Sequence, residues 1–313
     1  MIVVGFARRL LQIIPVLIAI SIVTFFITRL SGDPGALLLP LDAPPAAREA
    51  LREDLGLDRS LPVQYVRFLD GVIHGDFGDS FRYRQPALEV VLERAPATLQ
   101  LAAVALLIAL AVGIPLGIVA ALRHGGLVDS AVQLLAFVGQ AMPSFYTGLL
   151  ALIFIAQRVD WLPSGGYEPW SLRHIILPAC TLAPFMIAVI ARFTRASVLD
   201  VLGQNYVRTA RAKGIRESRV TLLHVLRNAL IPVVTIVGLQ VGYLLSGAVI
   251  TETVFGWPGV GRLAVESVLQ RDFPVVQVLV MTTALVFVLV NQLVDLVYVW
   301  LDPRIDLYQT RTA

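Results

Sequence analysis

The sequence predicts an all-α integral membrane protein with six transmembrane helices and both termini in the cytoplasm. Three observations carry this. Apolar residues fill 57% of the 313 positions and charged residues only 15%, against about 25% charged in soluble domains. The mean hydropathy is +0.77. The apolar residues are gathered into uncharged runs long enough to cross a hydrocarbon layer of ~30 Å. The net charge of +3 is small and no basic tract is long and continuous, which argues against nucleic acid as a partner. Cys180, the sole cysteine, excludes an intrachain disulfide and a cysteine zinc site, and among apolar neighbours it reads as a small hydrophobe.

The uncharged runs are Leu10–Thr28, Ala95–Leu122, Ser130–Gln157, Ile175–Ala191, Asn228–Thr251 and Phe273–Val294. The first follows Arg8 and Arg9, exceeds a signal-peptide core in length and lacks a small-residue cleavage site before Arg29, so it reads as an anchor over 1–30. The fourth is the shortest and holds Pro178 and Pro184. Gly113, Pro115 and Gly117, Pro143, Pro232, and Gly238, Gly242 and Gly247 permit kinks and close helix contacts in the others.

Orientation follows from basic residues. The stretch 192–227 carries Arg192, Arg195, Arg208, Arg211, Lys213, Arg216, Arg219 and Arg227 against Asp200 and Glu217, so it is expected in the cytoplasm. Counting back places the N-terminus inside, in agreement with Arg8 and Arg9, and six crossings return Arg304 and Arg311 to the same side.

Residues 31–94 then lie outside, ahead of a core domain over 95–313. Ala46–Leu55 reads as a helix stopped by Gly56. Pro62 opens a second helix through Ile73, with Val66, Leu69 and Ile73 on one face. A third amphipathic piece spans Pro86–Arg94. These are either interfacial connector helices or a recognition segment. The other outer element, Glu252–Pro274, contains Phe255-Gly-Trp-Pro-Gly-Val-Gly261. Pro258-Gly259 suits a type II turn, and Phe255 and Trp257 read either as an interfacial belt or as part of a gate.

No His-Glu-x-x-His pair, Gly-x-Ser-x-Gly elbow or phosphate-binding Gly-x-x-x-x-Gly-Lys-Ser/Thr loop occurs, so neither zinc hydrolysis, serine chemistry nor ATP hydrolysis is indicated. His74, His124, His174 and His224 are dispersed. An ion-coupled carrier would set an ionisable group at mid-membrane. None lies centrally in the six runs, and Asp295 sits at a boundary, as a partner for a loop arginine or as a coupling carboxylate. A secondary carrier and a membrane enzyme therefore stand as alternatives to a protein driven from outside. The basic stretch Tyr206–Pro232 has apolar residues at helical spacing on both sides of Gly214. It reads as two short helices joined at that glycine, either a docking surface for an external engine or a source of topogenic charge.

Tyr206-Val-Arg-Thr-Ala-Arg-Ala-Lys-Gly214, continued by His224-Val-Leu-Arg-Asn-Ala-Leu-Ile-Pro232, resembles the cytoplasmic EAA loop of membrane permeases of binding-protein-dependent ABC importers, in the dipeptide/oligopeptide/nickel branch. Gly32-Asp-Pro34, Leu55-Gly-Leu-Asp58, Gly75-Asp-Phe-Gly78, Pro163-Ser-Gly-Gly166, Thr251 to Gly261 and Asp302-Pro-Arg-Ile305 are similar in order. The chain departs from the general pattern at Arg208-Thr209-Ala210, where others have Glu-Ala-Ala, and at Leu226-Arg227, where many have Leu-Pro.

The resemblance implies a type I importer fold in a bacterial inner membrane, with no catalytic residue, metal or cofactor in this chain, ATP and Mg being held by partners. It implies that Tyr206, Val207, Arg208, Thr209, Ala210, Arg211, Ala212, Lys213 and Gly214 couple to an ATPase. Gly75, Asp76, Phe77, Gly78, Glu252, Phe255, Trp257, Pro258 and Gly259 would face an extracytoplasmic binding protein or the outer gate. A second permease and two ATP-binding subunits complete the implied assembly, which works by alternating access. Short peptides are the implied solutes, with glutathione and nickel or other metal chelates as alternatives.

Overall fold

In a computed structural model, the residues described are 2–30, 44–54 and 56–301. The Gly32–Pro34, Leu55 and Asp302–Ile305 motif positions, Arg304 and Arg311, and the side chains of Arg8, Arg9 and Asp295 lie outside them. Every regular element described is a helix, and the chain divides into two compact units, Met1–Pro96 with Arg262–Val288 and Ala97–Gly261 with Leu289–Ala313.

In the first unit, α1 (Ile2–Leu30) carries the first apolar run. α2 (Pro45–Asp54) and α3 (Leu61–His74) follow. Pro62 sits in the first turn of α3, where its missing N–H has no helical partner to lose. α3 leans on α1 through aromatic rings: Tyr65 and Phe68 lie 5.4 and 5.7 Å from Phe25, and the Tyr65 and Ser21 hydroxyls are 2.8 Å apart. Of the expected shared face, Val66 and Ile73 are exposed and Leu69 is half-buried.

α3 stops at Gly75, whose N–H donates to the Val72 carbonyl while that of Asp76 donates to Gly71. A turn follows and leads into α4 (Ala87–Leu122). Pro86–Arg94 is therefore no separate helix; beyond Pro86 it forms the first turns of a 36-residue helix about 54 Å long. Glu93 and Arg94 end the apolar run without ending the backbone.

Arg262–Val288, within α11 (Val260–Leu269) and α12 (Phe273–Leu301), closes this unit. Buried Asp272, between them, accepts from the Ser80 hydroxyl and from the N–H groups of Phe81 and Arg82. Gln277 Nε2 donates to Thr28 Oγ1 at 3.0 Å, tying α12 to α1.

In the second unit, α7 (Leu172–Leu202) is central. The shortest expected run thus becomes a 31-residue helix with 67% of its apolar window buried, against 28% for the other long spans. Ile175, Ala179, Leu182, Met186 and Ile190 meet Leu101, Ala105 and Ala109 of α4 in the core. Gly117 lets these helices approach: a Cβ there would lie 2.5 Å from the Ala191 carbonyl and 2.6 Å from Thr194 Cβ. Arg192 and Arg195 belong to α7, which runs on to Leu202.

The third expected run is broken. α5 (Leu127–Ala141) and α6 (Ser144–Ala151, prolonged by a π-helical turn Leu152–Ala156) meet at 98°. Pro143 has no N–H to continue α5 and holds Met142 extended, at ψ 121°, which turns the chain. α8 (Asn205–Ala212), α9 (Glu217–Arg219), a π-helical stretch Val220–Leu226 and α10 (Arg227–Val254) follow α7. Among the described residues, four helical stretches are long and apolar enough to cross a membrane, the α5–α6 pair makes a fifth if it crosses once, and Ile14–Thr28 of α1 is a shorter apolar stretch.

Candidate functional site

The basic loop is built on two buried side chains. In α8, Val207 and Ala210 fall on one face at a spacing of three and are buried at 0% and 6% exposure. They join Ala121 of α4, Val198 of α7, and Val220, Val225 and Ala229. The opposite face, with Tyr206, Arg208, Thr209, Arg211, Ala212 and Lys213, is exposed.

α8 ends at Gly214, whose φ of +74° is left-handed and strains any residue with a Cβ. Its N–H donates to Arg211 and that of Ile215 to Ala210, and Ile215 packs on the same apolar cluster, a glycine-stopped helix end with its usual hydrophobic clasp. Across this turn Arg211 grips Glu217, Nη2 to Oε1 at 2.6 Å and Nε to Oε2 at 3.1 Å. That hydrogen bonding raises the Arg211 pKa. Asn228 Nδ2 donates to the Tyr206 hydroxyl at 3.1 Å. Arg211 is thus committed to bracing the turn, whereas Arg208 and Lys213 form no ion pair among the described residues.

The stretch Thr251–Gly261 folds differently from expectation. At the end of α10 the left-handed residue is Gly256, φ +62°. Its N–H donates to Thr253 and that of Trp257 to Glu252, which satisfies the last carbonyls of the helix. Gly259 has no positive φ, so the type II turn at Pro258-Gly259 does not form; its N–H returns to the Trp257 carbonyl at 2.9 Å. Helix termination, which the turn signal could not reveal, takes the left-handed position first.

Trp257 is fully buried. Its Nε1 donates to the Ala97 carbonyl at 2.9 Å, and its ring meets Tyr167 edge-on at 4.8 Å. Phe255 is buried too, and its carbonyl accepts from Gly166. The belt reading of these aromatics is therefore corrected: both side chains are buried, and the Trp257 N–H finds a protein partner.

Glu252 is wholly buried and accepts from Thr98 Oγ1 at 2.6 Å, while Thr98 Oγ1 accepts from the Val260 N–H at 2.8 Å. The carboxylate occupies the space a Cβ on Gly259 would need, and a Cβ on Gly261 would lie 2.7 Å from Val249 Cα. The Pro163–Gly166 and Thr251–Gly261 motifs are thus two sides of one contact. Gly75, Asp76 and Gly78 are exposed and Phe77 is half-buried; the Gly78 N–H donates to Asp76 Oδ1 at 2.9 Å.

Sequence reasoning missed Thr98, Asp272, and the pair Asp129–Arg195. Each joins positions distant in the chain and carries no motif. Among the described residues no three His, Cys, Asp or Glu side chains gather to hold a metal ion.

Two family descriptions match the chain: the binding-protein-dependent transport system inner membrane component over residues 113–307, and the N-terminal part of such membrane components over residues 2–102. The glutathione transport system permease protein of Pectobacterium atrosepticum is 44% identical over 301 residues, covering 96% of this chain and 98% of its own. The oligopeptide transport system permease protein of Bacillus subtilis is 40% identical, covering 96% and 98%. The dipeptide transport system permease protein of Escherichia coli K12 is 40% identical, covering 95% and 97%. In fold, the chain is similar to the MetNI methionine ABC transporter in an inward-facing conformation, with TM-score 0.57 and 16% identity over 68% of this chain and 96% of that one.

Proposed function

The chain belongs to the family of binding-protein-dependent transport system inner membrane components, a multi-pass inner-membrane protein, and we propose that it lines half of the pathway by which an ATP-driven importer takes up short peptides or peptide-like solutes such as glutathione. The names of its relatives, glutathione, oligopeptide and dipeptide permeases, support that solute class. In this reading the termini are cytoplasmic, an anchor helix over 1–30 and an extracytoplasmic segment over 31–94 precede the core over 95–313, and the bent α5–α6 pair makes one of six crossings.

The carrying observation is the mounting of α8. A short basic helix is fastened by Val207 and Ala210 to the ends of membrane helices while its charged face stays open. Such a helix suits a groove on an ATPase subunit, with Arg208 and Lys213 meeting the partner and Arg211 and Glu217 stiffening the turn. ATP and Mg then belong to two ATPase subunits, this chain carries out no catalysis, and a second permease completes the pathway. Gly75–Gly78 meets the binding protein. Buried Glu252, Phe255 and Trp257 hold the outer turn in shape.

The test is uptake into proteoliposomes holding the chain with its second permease and ATPases, with the binding protein added outside. ATP-dependent entry of labelled di- or tripeptide, or glutathione, is expected. Entry driven by a proton or sodium gradient without ATP would overturn the reading.

A further inference from the structure

We propose that the ion pair between Asp129 and Arg195 is a positioning strut that makes α5 follow the movement of α8. The inference rests on the reading of α8 as the helix that receives the ATPase.

Asp129 lies in the first turn of α5, and its carboxylate is only 3% exposed. Arg195 grips both of its oxygens, Nε to Oδ1 at 2.6 Å and Nη2 to Oδ2 at 2.8 Å. The Gly125 N–H donates to Oδ2 at 3.0 Å, Gln133 Nε2 donates to Oδ1 at 3.2 Å, and His124 Nδ1 lies 3.1 Å from both Oδ2 and Arg195 Nη2. A two-pronged guanidinium–carboxylate contact fixes direction as well as distance. Here it is locked further by the Arg123–Gly126 turn.

Its position gives it a mechanical role. Arg195 stands two turns before the end of α7, and only Gly203 and Gln204 separate that end from α8. The turn bearing His124 and Gly125 follows α4, whose Ala121 packs in the cluster that seats Val207 and Ala210. A push on α8 therefore reaches the end of α4 by packing, and reaches α5 through the Arg195 fork. At its far end α5 meets the 98° break at Pro143, and Arg192 Nη1 holds Gln140 at 2.6 Å. Side chains that bond two elements in one arrangement make them move together.

The experiment uses the assembled transporter, wild type against Asp129→Asn, with two readouts. The first is solute imported per ATP hydrolysed. It falls about fivefold or more in the variant, the lower end of ordinary coupling between sites, with ATPase turnover retained; the exchanged pair Asp129→Arg with Arg195→Asp restores part of it. The second is the distance between spin labels on exposed Ser130 and Thr209. It stays narrow with and without ATP in the wild type and broadens in Asp129→Asn.

A merely structural role would lower the yield of assembled complex but move neither ratio nor distance width per complex. If Asp129→Asn does not assemble, Arg195→Lys, which keeps the charge and loses the fork, makes the same comparison. An unchanged ratio with a narrow distance in the variant overturns the strut. A wild-type complex without ATP-driven uptake overturns the reading beneath it instead.

Discussion

Replacing Thr98 by valine tests the buried contact at the C-terminal end of α10. The two side chains have nearly the same shape, so packing is conserved and only the hydroxyl is lost. That hydroxyl donates to the carboxylate of Glu252 at 2.6 Å and accepts from the Val260 N–H at 2.8 Å. The first bond lies in a site closed to solvent, and losing it leaves the Glu252 carboxyl without that donor, at about 2 kcal/mol. Losing the second leaves a half-buried N–H without its partner, at about 1 kcal/mol. Together, about 3 kcal/mol should appear as a fall in Tm of roughly 4–5 °C in detergent. Thr98→Ser keeps both bonds, loses one methyl, and should stay within about 1 kcal/mol of wild type. A valine variant melting with the wild type, or a serine variant melting with the valine one, would refute the relay.

Arg211→Glu sets a carboxylate against Glu217 and should abolish uptake in the reconstituted transporter; adding Glu217→Arg should restore most of it, because the pair braces the Gly214 turn. Arg208→Glu, with no such ion pair among the described residues, should abolish uptake without rescue by Glu217→Arg. A photocrosslinker replacing exposed Asp76 should capture the binding protein during turnover, while one replacing buried Ser267 should capture none; no capture at Asp76 removes its assigned role.

Length and charge made the apolar runs visible from composition alone, because a lipid-crossing helix has to be long and uncharged whatever it packs against. The same logic hid what neighbours decide. Pro143 was legible as a distortion, but a 98° turn depends on what the chain meets after the proline. Arg195 counted as topogenic charge, since its carboxylate lies 66 positions away. Val66 and Ile73 fit an amphipathic face at helical spacing, yet spacing cannot weigh them against Tyr65 and Phe68 beside Phe25. Trp257 beside a turn looked like an interfacial anchor, and only the Ala97 carbonyl and the Tyr167 ring turn it inward. Within the basic loop, α8 and its glycine stop followed from pattern, whereas the grip of Arg211 on Glu217 needed the turn to be folded first.

Gly75, Gly214 and Gly256 stand in three different family motifs, yet each does one job: its N–H reaches three residues back, and the next N–H reaches five. These motifs are punctuation. They say where helices stop and leave the message between them unwritten. The relatives reported above are named for glutathione, oligopeptides and dipeptides. A search for what distinguishes their cargoes belongs in the positions between the stops, where no motif draws the eye.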